Sequence, residues 1–222
     1  MTTVGRFSGA RKAAAKWTAA ALLTAPFAVL AQPAPLAQPR AAASQELLNS
    51  ERIEQRYGSY GVEVLDSDPT TRVSSLYSEH AGQRICRTFA VVSYPPSIDS
   101  RLAVEHTAIL AGGSIGATFA ARGWTVVKAH RYAGEIATTP RLGALMGDSD
   151  AMRLAVHVYG LEVVKDGVRL EYARIAEVHH PDYLGLADIQ HIYGTGARLP
   201  TEPDAGTEAL LALVAAKAAA PL

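Results

Sequence analysis

The chain has 222 residues, 49% hydrophobic and 19% charged, with 21 basic and 21 acidic side chains and a formal net charge of zero. That balance excludes nucleic-acid binding driven by bulk charge. Its single cysteine, Cys86, excludes an internal disulfide and any zinc site built from several thiolates.

Residues 1–31 read as an export signal. Arg6, Arg11, Lys12 and Lys16 precede the apolar run "WTAAALLTAPFAVLA", and Val29 and Ala31 fit the small-residue cleavage pattern. The run is short and broken by Pro26, so no stable membrane span is expected. The other reading is an amphipathic or disordered extension. Removing the segment takes away four basic and no acidic residues, leaving 17 against 21 and a charge of about −4. The expected product is a soluble, monomeric protein, exported to the periplasm or secreted. Residues 32–44, "QPAPLAQPRAAAS", form a Pro/Ala/Gln-rich linker without periodicity. Residues 45–198 have the length of one domain, and residues 199–222 form an Ala-rich tail with helical character.

Within the domain, "SQELLNSERIEQRYG" reads as a helix stopped at Gly58, and "YGVEVLDS" alternates as a strand. "RVSSLYSEHAGQRICRTFAVVSYP" gives two strands around an "HAGQ" turn. Helical residues 99–122 surround "GGSIGATFAARGW", where Ser114 is placed to cap a short helix through its hydroxyl and Gly123 to close it. "WTVVKAHRYAGEI" is another strand. "MRLAVHVYGLEVVKDGVRLEYARIAEVHHP" supplies two long strands about Asp166-Gly167. Antiparallel hairpins with helices inserted between them make the class α+β with a single antiparallel sheet.

Several residue patterns bear on chemistry. A helix start at Ser114–Gly116 offers amides and a positive dipole end to a carboxylate or phosphate, or is simply a tight interhelical turn. Glu177 shares a strand face with Ala173 and Ile175; on the inner face it would be poorly solvated, with a raised pKa suited to donating a proton or meeting a hydroxyl. Glu171 interrupts that alternation and leaves a surface position open. "EVHHPD" sends Glu177 and His179 the same way. Two donors do not make a metal site, so a solvated strand end before Pro181 is expected and no metal is assigned. Arg72, Arg84 and Arg87 lie in the first hairpin, where they form either an anion clamp or an exposed ladder. Cys86 alternates within an apolar strand and reads as a buried thiol.

The order and spacing of these motifs resemble the chorismate lyases (chorismate pyruvate-lyases). The matching stretches are "RVSSLYSEHAGQRICRTFAVVSYP", with Arg87-Thr88 fifteen residues after Arg72, then "SIGATF", then "YARIAEVHHPDYL". The resemblance covers roughly residues 46–185. It implies a chorismate lyase-like fold and elimination of pyruvate from chorismate to give 4-hydroxybenzoate, without a cofactor. By this resemblance Arg72 binds the ring carboxylate, joined by the backbone amide at Ile115-Gly116. Glu177 sits near the 4-hydroxyl, and a further backbone amide falls at Asn49 or Ser50. Arg87 receives the enolpyruvyl carboxylate or supports the sheet. Serine stands where the family's turn has proline, and the expected export departs from a cytoplasmic family. An exported module that binds a small aromatic carboxylate without chemistry, or an interaction protein on the same scaffold, stays open beside the lyase.

Overall fold

Two short turns organise the chain. At Ala81-Gly82 and at Asp166-Gly167 both residues have positive φ (49° and 79°, 50° and 78°). This is the backbone that reverses a hairpin with the strands' own twist. The computed structural model describes residues 47–147, 152–194 and 197–220. The expected export signal and the linker lie outside the described residues.

Helix α1 (Asn49–Tyr57) is followed by strands β1 (Gly61–Ser67), β2 (Thr71–His80) and β3 (Gln83–Ser93). A 3-10 turn (Ser100–Leu102) leads into α2 (Ala103–Leu110) and α3 (Ile115–Ala120). Then come β4 (Thr125–Ala137), α4 (Pro140–Leu145), β5 (Arg153–Lys165), β6 (Val168–His179), α5 (Leu186–Tyr193) and α6 (Ala205–Ala219). The strands form one six-stranded sheet in the order β1-β2-β3-β6-β5-β4, and every neighbouring pair is antiparallel. The α+β class with a single antiparallel sheet is therefore observed.

The α1 segment begins four residues after Gln45, later than its apolar pattern suggested. The Leu48 N–H donates to Glu51 Oε2 (2.8 Å), and Gly58 closes the helix at φ 74°. Two short helices escaped the sequence reading although both carry start signals. Thr139 caps α4, with Pro140 opening its first turn. The Gly185 N–H donates to Asp188 at the start of α5. Ser114 is the N-cap of α3 by backbone position, yet its side chain makes no capping bond, so the hydroxyl role expected there is corrected.

The sheet has two faces with different fates. One carries Val73, Phe89, Val91, Val156, Val158, Ala176 and Val178, and packs against Leu142 of α4 and against Leu210, Val214 and Ala218 of α6. The chain beyond residue 198, read as a tail, thus completes the core. Cys86 is buried on this side, and burial pushes its thiol up to about 11. Helices α1, α2, α3 and α5 serve the other face.

The imperfect alternation around Glu171 has a structural cause. Leu161 pairs with Ala173 but Glu162 pairs with Glu171, so Tyr172 is the extra residue of a β-bulge. The bulge buries Tyr172 and restores Ala173, Ile175 and Glu177 to one inner face.

Because Leu210 of α6 is buried against the sheet, Leu210→Ala should lower stability by about 2–4 kcal/mol in equilibrium urea unfolding. A loss under about 0.5 kcal/mol would mean that the helix is only loosely attached.

Candidate functional site

Strand register decides which side chains meet on the second face. Arg72 pairs with Val92, Val92 with Ile175, Ile175 with Tyr159, and Tyr159 with His130. One pleat along, Ser74 pairs with Ala90, Ala90 with Glu177, and Glu177 with His157. Further along, Leu76 pairs with Thr88 and Thr88 with His179. Because side chains repeat every two residues, these rows lie on one face.

Over these rows lies a cavity lined by Arg72 and Ser74 of β2, Ala90 and Val92 of β3, Ile175 and Glu177 of β6, and Tyr159 and Lys128 from the neighbouring strands. Its roof contains Leu48, Asn49 and Ser50 at the start of α1, and Ser114, Ile115 and Gly116 at the start of α3. Water centres can occupy about 90 Å³ of it. One water needs roughly 10–15 Å³, so the space suits several waters or one small substituted ring.

Arg72 is 2% exposed and fixed from two directions. Its Nε donates to Ser74 Oγ (3.0 Å), and its Nη1 donates to the carbonyls of Ile109 (3.0 Å) and Gly113 (2.7 Å). The guanidinium thereby ties the α2–α3 connection to the sheet and sets where α3 begins. Gly112 supplies the φ of 105° that this connection needs. At Gly116 a Cβ would come within 2.6 Å of Leu48 Cδ1, so glycine lets the two helix starts close together over the cavity. Arg72 and Lys128 bring positive charge to the cavity lining, and Glu177 brings negative charge. The Lys128 ammonium sits 5.2 Å from the Tyr159 ring centre and 5.4 Å from that of Tyr193.

Glu177 is 3% exposed, and its Oε1 accepts from the Tyr159 hydroxyl (3.1 Å). Asn49 is also buried; its Nδ2 donates to Thr88 Oγ1 (3.1 Å) and its Oδ1 accepts from Tyr183 (2.5 Å). Thr88 Oγ1 in turn lies 3.1 Å from His179 Nδ1.

Of the residues singled out from sequence, Arg72, Asn49, Ile115, Gly116 and Glu177 are brought together here. Arg87 is not among the lining residues. Its Nε donates to Ser78 Oγ (2.8 Å) and its guanidinium lies 3.9 Å from the Tyr57 ring centre, so it supports α1 on the sheet. Arg84 lies on the surface near Glu63 and Glu79. The solvated strand end expected at "EVHHPD" is corrected: His179 and His180 are both buried. His180 is fully engaged, with Nε2 3.1 Å from the Met146 carbonyl and Nδ1 accepting from the Asp182 N–H (3.0 Å).

Sequence reasoning missed Lys128, Tyr159 and His157. All three are inner-face residues of β4 and β5, and their alternation was the available signal. His157 stacks on Tyr193 (ring centres 4.4 Å apart, planes 12°) and is bonded to His130. Burial, reinforced by neighbouring histidines and Lys128, holds the His157 imidazole down to about 2. Burial, with Lys128 and Arg52 adding to it, holds His179 down to about 3.

No family model matches the chain, and no curated protein matches its sequence.

The neutral histidines set a pH dependence. Unfolding exposes imidazoles that protonate below about pH 6.5, while the folded protein keeps them neutral, so acid favours the unfolded state. Urea midpoints should fall steadily as pH is lowered from about 7 toward about 4. The His157→Gln variant should show a shallower fall. A flat profile would contradict the neutral, buried assignment.

Proposed function

We propose that this cavity binds a small aromatic carboxylate and that the protein is a carbon–oxygen lyase of the chorismate pyruvate-lyase type. One observation carries the reading: Arg72, Asn49, Ile115-Gly116 and Glu177, from four separated stretches of chain, line a single cavity. A ring carboxylate would lie at Arg72 and the start of α3, where charge-assisted hydrogen bonds are strongest away from water. The para hydroxyl would then meet Glu177.

In this reading the ring carbon–oxygen bond to the enolpyruvyl group breaks, and the neighbouring carbon that bears the hydroxyl loses its proton. The ring becomes aromatic as 4-hydroxybenzoate, and the departing enolpyruvate takes up a proton to become pyruvate. Glu177 assists the proton's departure, and Lys128 adds attraction for the second carboxylate. Because aromatisation drives the reaction, holding a dianion in a reactive pose is the protein's main task. Export to the periplasm or outside the cell, and action as a monomer, belong to the same proposal. Among the described residues no helix is long and apolar enough to cross a membrane.

The Tyr159 bond to Glu177 favours a second reading. A carboxylate held in place by a phenol is a good fixed acceptor for a ligand hydroxyl, which is what a non-catalytic binding module needs.

Incubating the full chain with chorismate and separating products by chromatography tests both. The lyase yields 4-hydroxybenzoate and pyruvate in equal amounts above background. Glu177→Gln and Arg72→Lys should each cut that rate by more than about tenfold in folded protein. No product, with 4-hydroxybenzoate raising the melting temperature, selects the binding module. Neither product nor protection overturns both.

A further inference from the structure

Three buried side chains converge beneath the cavity. His157 is the cross-strand partner of Glu177, and His179 follows Glu177 by two residues on the same face. Each offers one ligating atom, and these atoms all lie within 4.8 Å of one another. We propose that His157, Glu177 and His179 form a binding site for one divalent first-row transition-metal ion, reached from the cavity that Glu177 lines.

Two imidazoles and a carboxylate are a donor set that such ions favour when a further position is left for water or a ligand. Each donor is held from behind by a separate neighbour. His157 Nε2 lies 3.0 Å from His130 Nδ1, His179 Nδ1 lies 3.1 Å from Thr88 Oγ1, and Glu177 Oε1 accepts from Tyr159 at 3.1 Å. Outer-shell bonds of this kind orient ligands around a metal and fix the imidazole tautomer. With the bonded nitrogens carrying the protons, His157 Nδ1 and His179 Nε2 present lone pairs.

Those two nitrogens are the second observation. Both residues are 0% exposed, and neither nitrogen has a hydrogen-bond partner among the described residues. Buried polar atoms left unpaired are costly and uncommon, and two of them on histidines that each bring a ligating atom within 4.8 Å of the Glu177 carboxylate point to a bound species. The Lys128 ammonium lines the same cavity and opposes a cation; the Glu177 carboxylate offsets it. The resemblance to the lyases implies no metal, so this site rests on the chain's own residues. It does not depend on the anion-binding reading, because metal uptake is measured with no organic ligand present.

The test uses the full chain, stripped with a chelator, desalted, and titrated with Zn²⁺ alone by calorimetry and with Co²⁺ by visible absorption. The site predicts one Zn²⁺ per chain, and cobalt bands of a four- or five-coordinate ion that Zn²⁺ displaces. His157→Gln and His179→Gln should each weaken binding by more than about 100-fold, beyond the 10–100-fold of an outer-shell change. His191→Gln, at an exposed histidine of α5, should leave it unchanged. No uptake by folded wild-type protein overturns the proposal and assigns the gap to ordered water. Uptake that survives both variants overturns it too, as an adventitious surface ion. If the variants do not fold, the cobalt spectrum decides: only the weak bands of a six-coordinate aquo-like ion would contradict the site.

Discussion

Charged and ionisable side chains turned away from water must each find partners, or the fold loses several kcal/mol at every such position. This sheet buries Arg72, Glu177, His157 and His179 on one face, and the partners that Arg72 takes shape the roof of the cavity. Arg72 draws the carbonyls of Ile109 and Gly113 onto the sheet. That contact brings the start of α3 over the cavity, and Gly116 lets it close against Leu48 at the start of α1. The roof and the charge beneath it are thus one construction.

The opposite face follows a different rule. Val73, Phe89, Val91, Val156, Val158, Ala176 and Val178 form an apolar cluster on it, and α4 and α6 cover them with Leu142, Leu210 and Val214. The inner face has apolar clusters of its own and carries, beside them, polar groups that an efficient core would not choose. His157 and His179 are held neutral by burial, and a bulge at Tyr172 keeps Glu177 in register with His157. A ligand carboxylate at Arg72 and a hydroxyl at Glu177 would lie across a floor whose histidines can also hold an ion.

Much of this was legible in the chain, and the rest was hidden for identifiable reasons. The Ala81-Gly82 and Asp166-Gly167 turns stood between clear apolar runs, so both hairpins and the sheet class could be read. Glu177 could be singled out because it shares a strand face with Ala173 and Ile175, and Arg72 because it opens a strand in the hairpin whose motifs resemble the lyases. His157 could not be tied to Glu177, because only the β5–β6 register makes them neighbours and a bulge falls within it. "EVHHPD" reads as solvated from sequence because its burial comes from α1 and the turn at Tyr183, remote in sequence or too short to show a period. Arg87 resembled an anion ligand by position, but the stack against Tyr57 is a tertiary contact that spacing cannot reveal. The tail's role was hidden because an Ala-rich helix carries little asymmetry; its burial is settled by the groove it fills.

We propose that one cavity orients a small aromatic carboxylate between Arg72 and Glu177. A crystal structure of the full chain with 4-hydroxybenzoate tests this most directly. The carboxylate is expected against the Arg72 guanidinium and the start of α3, with the hydroxyl within hydrogen-bond distance of Glu177. A ligand in the reverse orientation, or a cavity without ligand at saturating concentration, would contradict it.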